Sequence, residues 1–338
     1  HQSPVLFDVL ADVLAVRSHG MKPQELTNVA WAFATERHES VKLFKVLADE
    51  ATRCASKFTA QGLSNAVWSF ATAEHQSELL FKALAREASG RVREFTPQAL
   101  ANTAWAFATA RHDWPFLFDV LANEAERRTS GFNPQVLANL AWAFATVGHE
   151  SPASFKALAE EAARRVCEFK PQELANTAWA FAKAGHGFES CILFERIADE
   201  ARGRVCEFKP QELSNIVWAF ATAQHQSIGL FETVAAESVR HMSDFNAQDI
   251  ANTAFAFAKA GQKSPALFQS LASEAAGRIS EFKPEVLAGT AWAFATASHK
   301  SHALWDALAD EAVERAHLLT AWHLATIARA LSQLGHQS

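Results

Sequence analysis

The sequence predicts an all-α fold, a right-handed α-solenoid of nine helical hairpins with a repeat of about 37 residues. The first observation behind this prediction is the motif Asn-x-x-Trp-x-Phe-Ala, which recurs every 37 residues with a single step of 39. Its aromatic anchors are Trp31, Trp68, Trp105, Trp142, Trp179, Trp218, Phe255 and Trp292. The second is composition, because 49% of the 338 residues are hydrophobic, Tyr is absent, and Pro and Gly fall mainly between the periodic segments. A constant period indicates one array over residues 1–338 instead of several globular domains.

The first helix of each repeat, which we call helix A, carries the motif. In residues 61–72, Leu63, Val67 and Phe70 form the stripe of an amphipathic helix. Many copies open with Phe-x-Pro-Gln, as at residues 169–172, which places Pro in the first turn where its missing N–H costs nothing. We expect the Leu five residues before the anchor and the Phe two residues after it to face the core.

The second helix, helix B, follows a short turn and has an aromatic anchor of its own. These anchors are Phe44, Phe81, Phe118, Phe155, Phe194, Phe231, Phe268 and Trp305. The 39-residue step comes from two extra residues in the turn around Gly187 and Phe188. Residues 6–11 match a helix B without a preceding helix A, and residues 318–334 match a degenerate, capping helix A. Because the chain starts at a repeat boundary without an initiator Met, we expect a processed product or a segment of a longer array.

Four side chains of helix A share the side opposite the core. Counted from the anchor, Gln at −7, Asn at −3, the aromatic ring at 0 and Thr or Lys at +4 fall within about 60° of one another. Stacking would align them into stripes that form either the seam between repeats or the ligand surface. We expect the indoles to be buried between repeats, because a row of exposed rings would make a large apolar patch. The Asn either bonds the backbone of the neighbouring repeat or faces a ligand.

Two helix A positions vary more than the rest, at −6 and at +6. If the array discriminates among partners, the +6 set is a candidate for doing so. Its members are Arg37, Glu74, Arg111, Gly148, Gly185, Gln224, Gly261 and Ser298.

A histidine ladder follows seven residues after the anchors and is interrupted by Gln262. Its members are His38, His75, His112, His149, His186, His225, His299 and His336. Packed helices lie about 8–10 Å apart, so neighbouring imidazoles cannot share one metal ion at about 2 Å each. We therefore predict no metal site and expect each histidine to act at the C-terminus of helix A through the helix dipole and its free carbonyls.

Other residue types exclude several classes of function. The four cysteines lack CxxC spacing, which favours reduced thiols, and we expect Cys167 and Cys206 to be buried. We find no Gly-rich phosphate loop, HExxH or GxSxG, so we predict no enzyme, no cofactor and no small-molecule substrate. No apolar run approaches the roughly 20 residues of a membrane span, so we predict no membrane insertion. A glutamate ladder on helix B indicates a solvated outer face: Glu50, Glu87, Glu124, Glu161, Glu200, Glu237, Glu274 and Glu311.

The basic residues cluster at particular positions of the repeat, although the net charge of the chain is −6. Of the 31 Lys and Arg, 18 lie at the end of helix B or the start of helix A, where stacking would align them into a basic edge. Such an edge either binds phosphates or is simply solvated. The better phosphate candidates are the lysines that open helix A, because they oppose the helix dipole: Lys22, Lys170, Lys209 and Lys283.

Residues 169–182, Phe-Lys-Pro-Gln-Glu-Leu-Ala-Asn-Thr-Ala-Trp-Ala-Phe-Ala, resemble the octotricopeptide and heptatricopeptide repeat families. The resemblance spans the chain, and departs from the octotricopeptide form in having Phe where Leu is frequent and a single Pro. It implies an α-solenoid that binds RNA in the mitochondrial or chloroplast matrix and acts in RNA stability, processing, translation or ribosome assembly. It also implies that helix A faces the RNA.

We therefore predict an organellar RNA-binding repeat protein whose partner is single-stranded or structured RNA. The alternative is a protein–protein interaction scaffold, possibly inside a large organellar complex or ribonucleoprotein. The candidate RNA-binding residues are Lys22, Lys170, Lys183, Lys209, Lys259, Lys283, Asn28, Asn65, Asn102, Asn139, Asn176, Asn215 and Asn252. Strong salt dependence of binding would favour RNA.

Overall fold

The computed structural model describes residues 4–111, 114–187 and 189–335, so that His112, Phe188 and His336, discussed above, lie outside the described residues. The described residues form eighteen α-helices. These are α1 (Pro4–Arg17), α2 (Pro23–Thr35), α3 (Val41–Arg53), α4 (Ala60–Thr72), α5 (Glu78–Gly90), α6 (Pro97–Thr109), α7 (Pro115–Arg128), α8 (Pro134–Val147), α9 (Pro152–Arg164), α10 (Pro171–Lys183), α11 (Cys191–Gly203), α12 (Pro210–Thr222), α13 (Ile228–Arg240), α14 (Ala247–Lys259), α15 (Pro265–Gly277), α16 (Pro284–Thr296), α17 (His302–Glu314) and α18 (Ala321–Gly335).

The predicted alternation of helices A and B is confirmed. Even-numbered helices are A helices and odd-numbered helices are B helices, so α1 is a B helix without an A partner and α18 is a final A helix. From α3 onward, one 3₁₀ turn follows each B helix: Ala55–Lys57, Val92–Glu94, Thr129–Gly131, Val166–Glu168, Val205–Glu207, Met242–Asp244, Ile279–Glu281 and Ala316–Leu318. The chain divides into two compact units, His1–Glu161 and Ala162–Ser338.

Within each unit the hairpins stack as in a solenoid. Each A helix packs chiefly against the next A helix, as α4 does against α6, and successive B helices touch less. The A helices therefore form the closely packed layer of each unit. The B helices form the looser layer, with grooves between them.

The core repeats with the sequence. Leu63 and Phe70 of α4 are 0% and 2% exposed, as predicted for the −5 and +2 positions, and the other copies are buried to the same degree. At seven +2 positions the Phe packs edge to face on a Phe of the preceding B helix, as for Phe44 with Phe70 at 5.6 Å between ring centroids. Such pairs contribute about 0.5–1.5 kcal/mol beyond the area they bury. The contact joins one hairpin to the next.

The start of helix A is capped in two alternative ways. Thr59 and Thr96 accept a hydrogen bond from the backbone N–H three residues later, at 3.0 and 3.1 Å. Where a Lys stands at this position, the bond is reversed, and the backbone N–H of Lys170 donates to Oε2 of Glu173 at 2.8 Å. Lys22 with Glu25 and Lys209 with Glu212 repeat this arrangement. A Glu at the −6 position therefore accompanies the Lys cap in these three repeats, whereas Lys283 is followed by Val286 and lacks this bond.

The end of helix A explains the other variable position. Every +6 residue has a positive φ, from 52° at Arg37 to 80° at Gly185. The N–H of the following residue, as at His75, bonds the carbonyl of the +2 Phe, here Phe70, at 3.0 Å. This is a left-handed C-cap of the Schellman type. A role of these exposed +6 side chains in choosing partners stays a prediction.

Histidines of the ladder lie half-buried against the aromatic anchors of the B helices. His75 and His225 lie against the anchors of the preceding B helices, Phe44 and Phe194, with ring centroids 5.9 and 5.6 Å apart. Burial lowers the pKa of both imidazoles, and it does the same at His149 and His299. The expected action through the helix dipole is therefore wrong, because burial favours the neutral ring, and the backbone N–H provides the cap.

The expected burial of Cys167 and Cys206 is also wrong. Both thiols are exposed in the 3₁₀ turns after α9 and α11, whereas Cys54 is buried. The two positions fall on the solvent side of a turn whose preceding residue, Val166 or Val205, is only partly covered. Position in a short turn, which residue type alone does not give, decides their exposure.

Candidate nucleic-acid interface

Five arginines of the predicted basic edge donate hydrogen bonds to a backbone carbonyl within the fold. At the end of α5, Nη1 of Arg91 donates to the carbonyl oxygen of Phe58, just before α4, at 2.6 Å. Nη2 of Arg91 donates to Oε2 of Glu94 at 2.6 Å. This bridge between the end of helix B and the start of its own helix A, which we call the arginine clamp, recurs along the chain. Further clamps join Arg128 to Phe95, Arg204 to Phe169, Arg278 to Phe245 and Arg315 to Phe282, at 2.7, 3.0, 2.7 and 2.6 Å.

The prediction that the glutamate ladder forms a solvated face is wrong. Glu50, Glu124 and Glu237 are only 7%, 5% and 4% exposed. The ladder lies beside the clamp, so that Glu274 accepts from Arg278 at 3.0 Å. A buried carboxylate needs a charged partner, and the arginine one turn later supplies it. Arg278 also holds the pKa of Glu281 below its ordinary value through a hydrogen bond.

Six lysines of the candidate set remain exposed. None of them has an acidic side-chain partner among the described residues: Lys22, Lys170, Lys183, Lys209, Lys259 and Lys283. Four stand at the N-terminal end of helix A, and Lys183 and Lys259 stand at its C-terminal end. Lys259 lies 5.5 Å from the ring centroid of Phe255, and its Nζ donates to Oγ1 of Thr222 at 3.4 Å. Five of the six belong to the second unit.

The aromatic anchors of helix A stack between neighbouring repeats and are also partly exposed to solvent. Trp179 and Trp218 stack with centroids 6.2 Å apart and planes inclined by 27°. Trp105 with Trp142, at 6.4 Å, repeats this contact in the first unit. The faces of the rings are thus covered by neighbouring repeats, while the rings stay partly exposed, and Trp31 is 51% exposed. The expected burial of the indoles is met only in part.

The Asn side chains at −3 do not hydrogen-bond the backbone of the neighbouring repeat in the described residues. Six of the seven are half-buried and Asn28 is exposed. Oδ1 of Asn65 accepts from Nε2 of Gln61 at 2.8 Å, and Asn252 does the same with Gln248. Across the described repeats, none of these seven amides bonds the backbone of an adjacent helix. The Asn and Gln rows therefore keep hydrogen-bonding capacity directed at solvent.

Together these rows define what we call the helix A face of each unit: the Gln, Asn, aromatic and +4 rows, with lysines at one or both ends of the helices. In α10, Lys170 and Lys183 stand 13 residues apart, which is about 20 Å along the axis. Cations thus border a strip of amides and ring edges. Such a strip can bind a chain whose charge lies outside and whose flat, polar groups lie inside.

A comparison with known protein families identifies the chain. The model of the family described as RNA-editing substrate-binding complex 6 protein, RESC6, matches residues 88–338, well over half of the sequence. The chain belongs to the RESC6 family. No curated protein matches it. The RESC6 match agrees with the link to RNA and with the helical repeat, but the family it shows is not specifically the octotricopeptide or heptatricopeptide family.

The RESC6 match covers the whole second unit, which carries five of the six exposed lysines. Among the described residues there is no group of three or more His, Cys, Asp and Glu side chains placed to hold a metal ion. In the described part of the chain, no helix is long and apolar enough to cross a membrane. Sequence reasoning found the lysine and amide rows, and missed that five arginines of the basic edge bond backbone carbonyls within their own hairpins.

Proposed function

We propose that this chain is a non-catalytic, RNA-binding component of a mitochondrial RNA-editing substrate-binding complex, and that it holds RNA on the helix A face of its second unit. The observation that carries the proposal is the strip of amides and aromatic edges bordered by lysines without acidic partners. The family description, which names RNA editing and substrate binding, supports the same conclusion. The mitochondrion is one of the two organelles that the motif resemblance implies, and membership of the RESC6 family favours it over the chloroplast.

Different rows of the helix A face contact different parts of the RNA in this proposal. Lys170, Lys209 and Lys283 stand at helix N-termini, where the partial positive charge of the helix also favours phosphate. Phosphate contacts position a nucleic acid, and contacts to bases select it. The Gln and Asn amides can bond base edges, and the partly exposed rings offer apolar edges to unpaired bases. Unpaired RNA therefore suits the surface best.

The charge of the second unit limits how strongly binding depends on salt. Each phosphate neutralised on a single strand contributes about 0.7 to the slope of log affinity against log salt. Five lysines thus predict a slope of at most about 3.5. A much steeper slope would point to the clamp arginines as well, which the structure engages internally.

The test is equilibrium binding of a fluorescein-labelled, mixed-sequence single-stranded RNA to the full chain. In one variant Lys170, Lys209 and Lys283 are changed to Glu. In the matched control Lys45, Lys156 and Lys263, three exposed lysines outside the helix A face, are changed to Glu. We expect at least a tenfold loss in the first variant and little in the second. Equal losses would mean that only net charge matters, and would overturn the assignment to the helix A face.

A protein–protein scaffold is the second candidate function. The observation that favours it is that clamps hold five of the 18 basic residues of the edge while the net charge is −6. Ultraviolet crosslinking of the native protein separates the two functions. Discrete RNA footprints that disappear with the Lys→Glu variant support RNA binding, whereas a defined copurifying protein without crosslinked RNA supports the scaffold.

A further inference from the structure

A groove in the first unit, on the side away from the helix A face, has walls unlike those of the other repeats. It lies between the B helices α5 and α7 and has a volume of about 670 Å³. Leu79 and Phe116 stand at its mouth and are 73% and 72% exposed. Leu117 is buried and lines the groove as well. Two large apolar side chains are thus held in water on neighbouring helices.

The charged residues of the groove, among the residues that the structure describes, are both basic. They are Lys82 and Arg86, which stand one turn apart on α5, about 6 Å along the axis. Arg86 is paired with Glu87 at 3.2 Å, but its side chain is 82% exposed, and such a pair contributes little. Both cations are therefore available to a ligand that brings carboxylates.

The equivalent groove in the second unit shows that these walls do not follow from the fold. Between α13 and α15 the groove measures about 470 Å³. At the matching positions, Ala266 replaces Phe116, Ser264 replaces Trp114 and Glu232 replaces Lys82. Of these two grooves, only the one between α5 and α7 is thus both apolar and basic.

We propose that the α5–α7 groove is a docking site for another protein, which inserts an amphipathic helix carrying acidic residues four positions apart. Helices bind grooves through apolar residues on one face, and the exposed Leu79 and Phe116 offer the complementary surface. Carboxylates at i and i+4 match the spacing of Lys82 and Arg86. An RNA strand is disfavoured, because the lining is mainly apolar and holds two cations on a single helix. The proposal is independent of RNA binding by the helix A face.

The experiment places the photocrosslinker p-benzoylphenylalanine at position 116 of the tagged full chain, expressed in its own cells. After irradiation, the complex is purified and the crosslinked peptide is sequenced by mass spectrometry. We expect one recurring peptide of a different protein, with acidic residues at i and i+4 beside apolar residues. Its yield should fall at least tenfold when Lys82 and Arg86 are changed to Glu, and changing the two acids of the peptide to Lys should restore it.

The matched control carries the crosslinker at position 192. Ile192 occupies the same place in α11 as Leu79 and Phe116 do in their helices, and it is 65% exposed. We expect no such peptide from this position. A crosslink to RNA, to a second copy of the chain, to a peptide without the acidic pair, or equally from both positions would overturn the proposal, as would no crosslink from position 116.

Discussion

The +6 residue, which ends each helix A cap, adopts a left-handed backbone conformation that is unfavourable for residues other than glycine. Gly148, Gly185 and Gly261 adopt the left-handed conformation without penalty, but Gln224 and Ser298 adopt it with a Cβ atom, at φ values of 55° and 52°. For a residue other than Gly this conformation costs about 1–2 kcal/mol. The fold accepts the cost at several copies because the cap satisfies the carbonyls at the end of helix A.

Relieving this cost should stabilise the protein. We expect Ser298→Gly to raise the free energy of unfolding by about 1 kcal/mol, part of the gain being lost to the greater freedom of Gly in the unfolded chain. Ser298→Ala keeps the Cβ atom and is the matched control without a gain. Urea titration measures both. If the Ala variant were as stable as the Gly variant, backbone strain would not be the cause.

At the scale of the element, the arginine clamp is what ties a helix B back to the helix A of its own hairpin. It replaces water at the carbonyl before helix A and neutralises the glutamate of the ladder. The hairpin α12–α13 keeps the pattern in another form, since His241 stands in place of the arginine with Nε2 3.3 Å from Oε1 of Glu237. The clamp thus closes hairpins, and the aromatic pairs join one hairpin to the next.

Removing one clamp should weaken its hairpin. We expect Arg91→Gln to destabilise the fold by about 1–3 kcal/mol, because the carbonyl of Phe58 loses a charged donor. Arg91→Lys should recover only part of this, since an ammonium lacks the planar fork that reaches both Phe58 and Glu94. Arg93→Gln, two residues later and exposed, is the control. Equal unfolding midpoints for Arg91→Gln and Arg93→Gln in urea would contradict the clamp.

Across the whole molecule, what the sequence could predict depends on how far apart the deciding residues lie. Helix type, repeat number and the buried Leu and Phe rows follow from local periodicity. The exposure of the Glu124 row does not, because the arginine that pairs with it is held in place by a carbonyl 33 residues upstream. The half-exposure of the indoles likewise depends on the distance between successive A helices. Contacts between residues far apart in the sequence, within a hairpin or between hairpins, decided the exposure of both rows.

The half-buried histidines together make the stability of the whole array depend on pH. Burial lowers the pKa of His75, His149, His225 and His299 in the fold. Below the unfolded value of about 6.5, the unfolded chain therefore binds more protons than the fold, so stability is lost as the pH falls from there through the folded pKa values. We expect the thermal unfolding midpoint to fall between pH 7.5 and 5.5.

A single substitution tests the cause. His225→Gln copies the residue that occurs naturally at position 262, so it should fold and should show a smaller fall over the same range. An unfolding midpoint that does not change with pH, or that changes equally in the variant, would contradict the assignment to these rings.

The two ways of capping helix A make its positive charge interchangeable from repeat to repeat. Thr59 with Gly62 and Lys170 with Glu173 are equivalent solutions to the same local problem, so two coupled changes convert one into the other without disturbing the helix. The lysine ammonium then reaches into solvent, while the carboxylate is tied to the backbone. Exchanging these two residues can thus add or remove a lysine at the start of a helix A, and with it the phosphate contact that we propose there. The same exchange could be used to engineer a new pattern of lysines along the array.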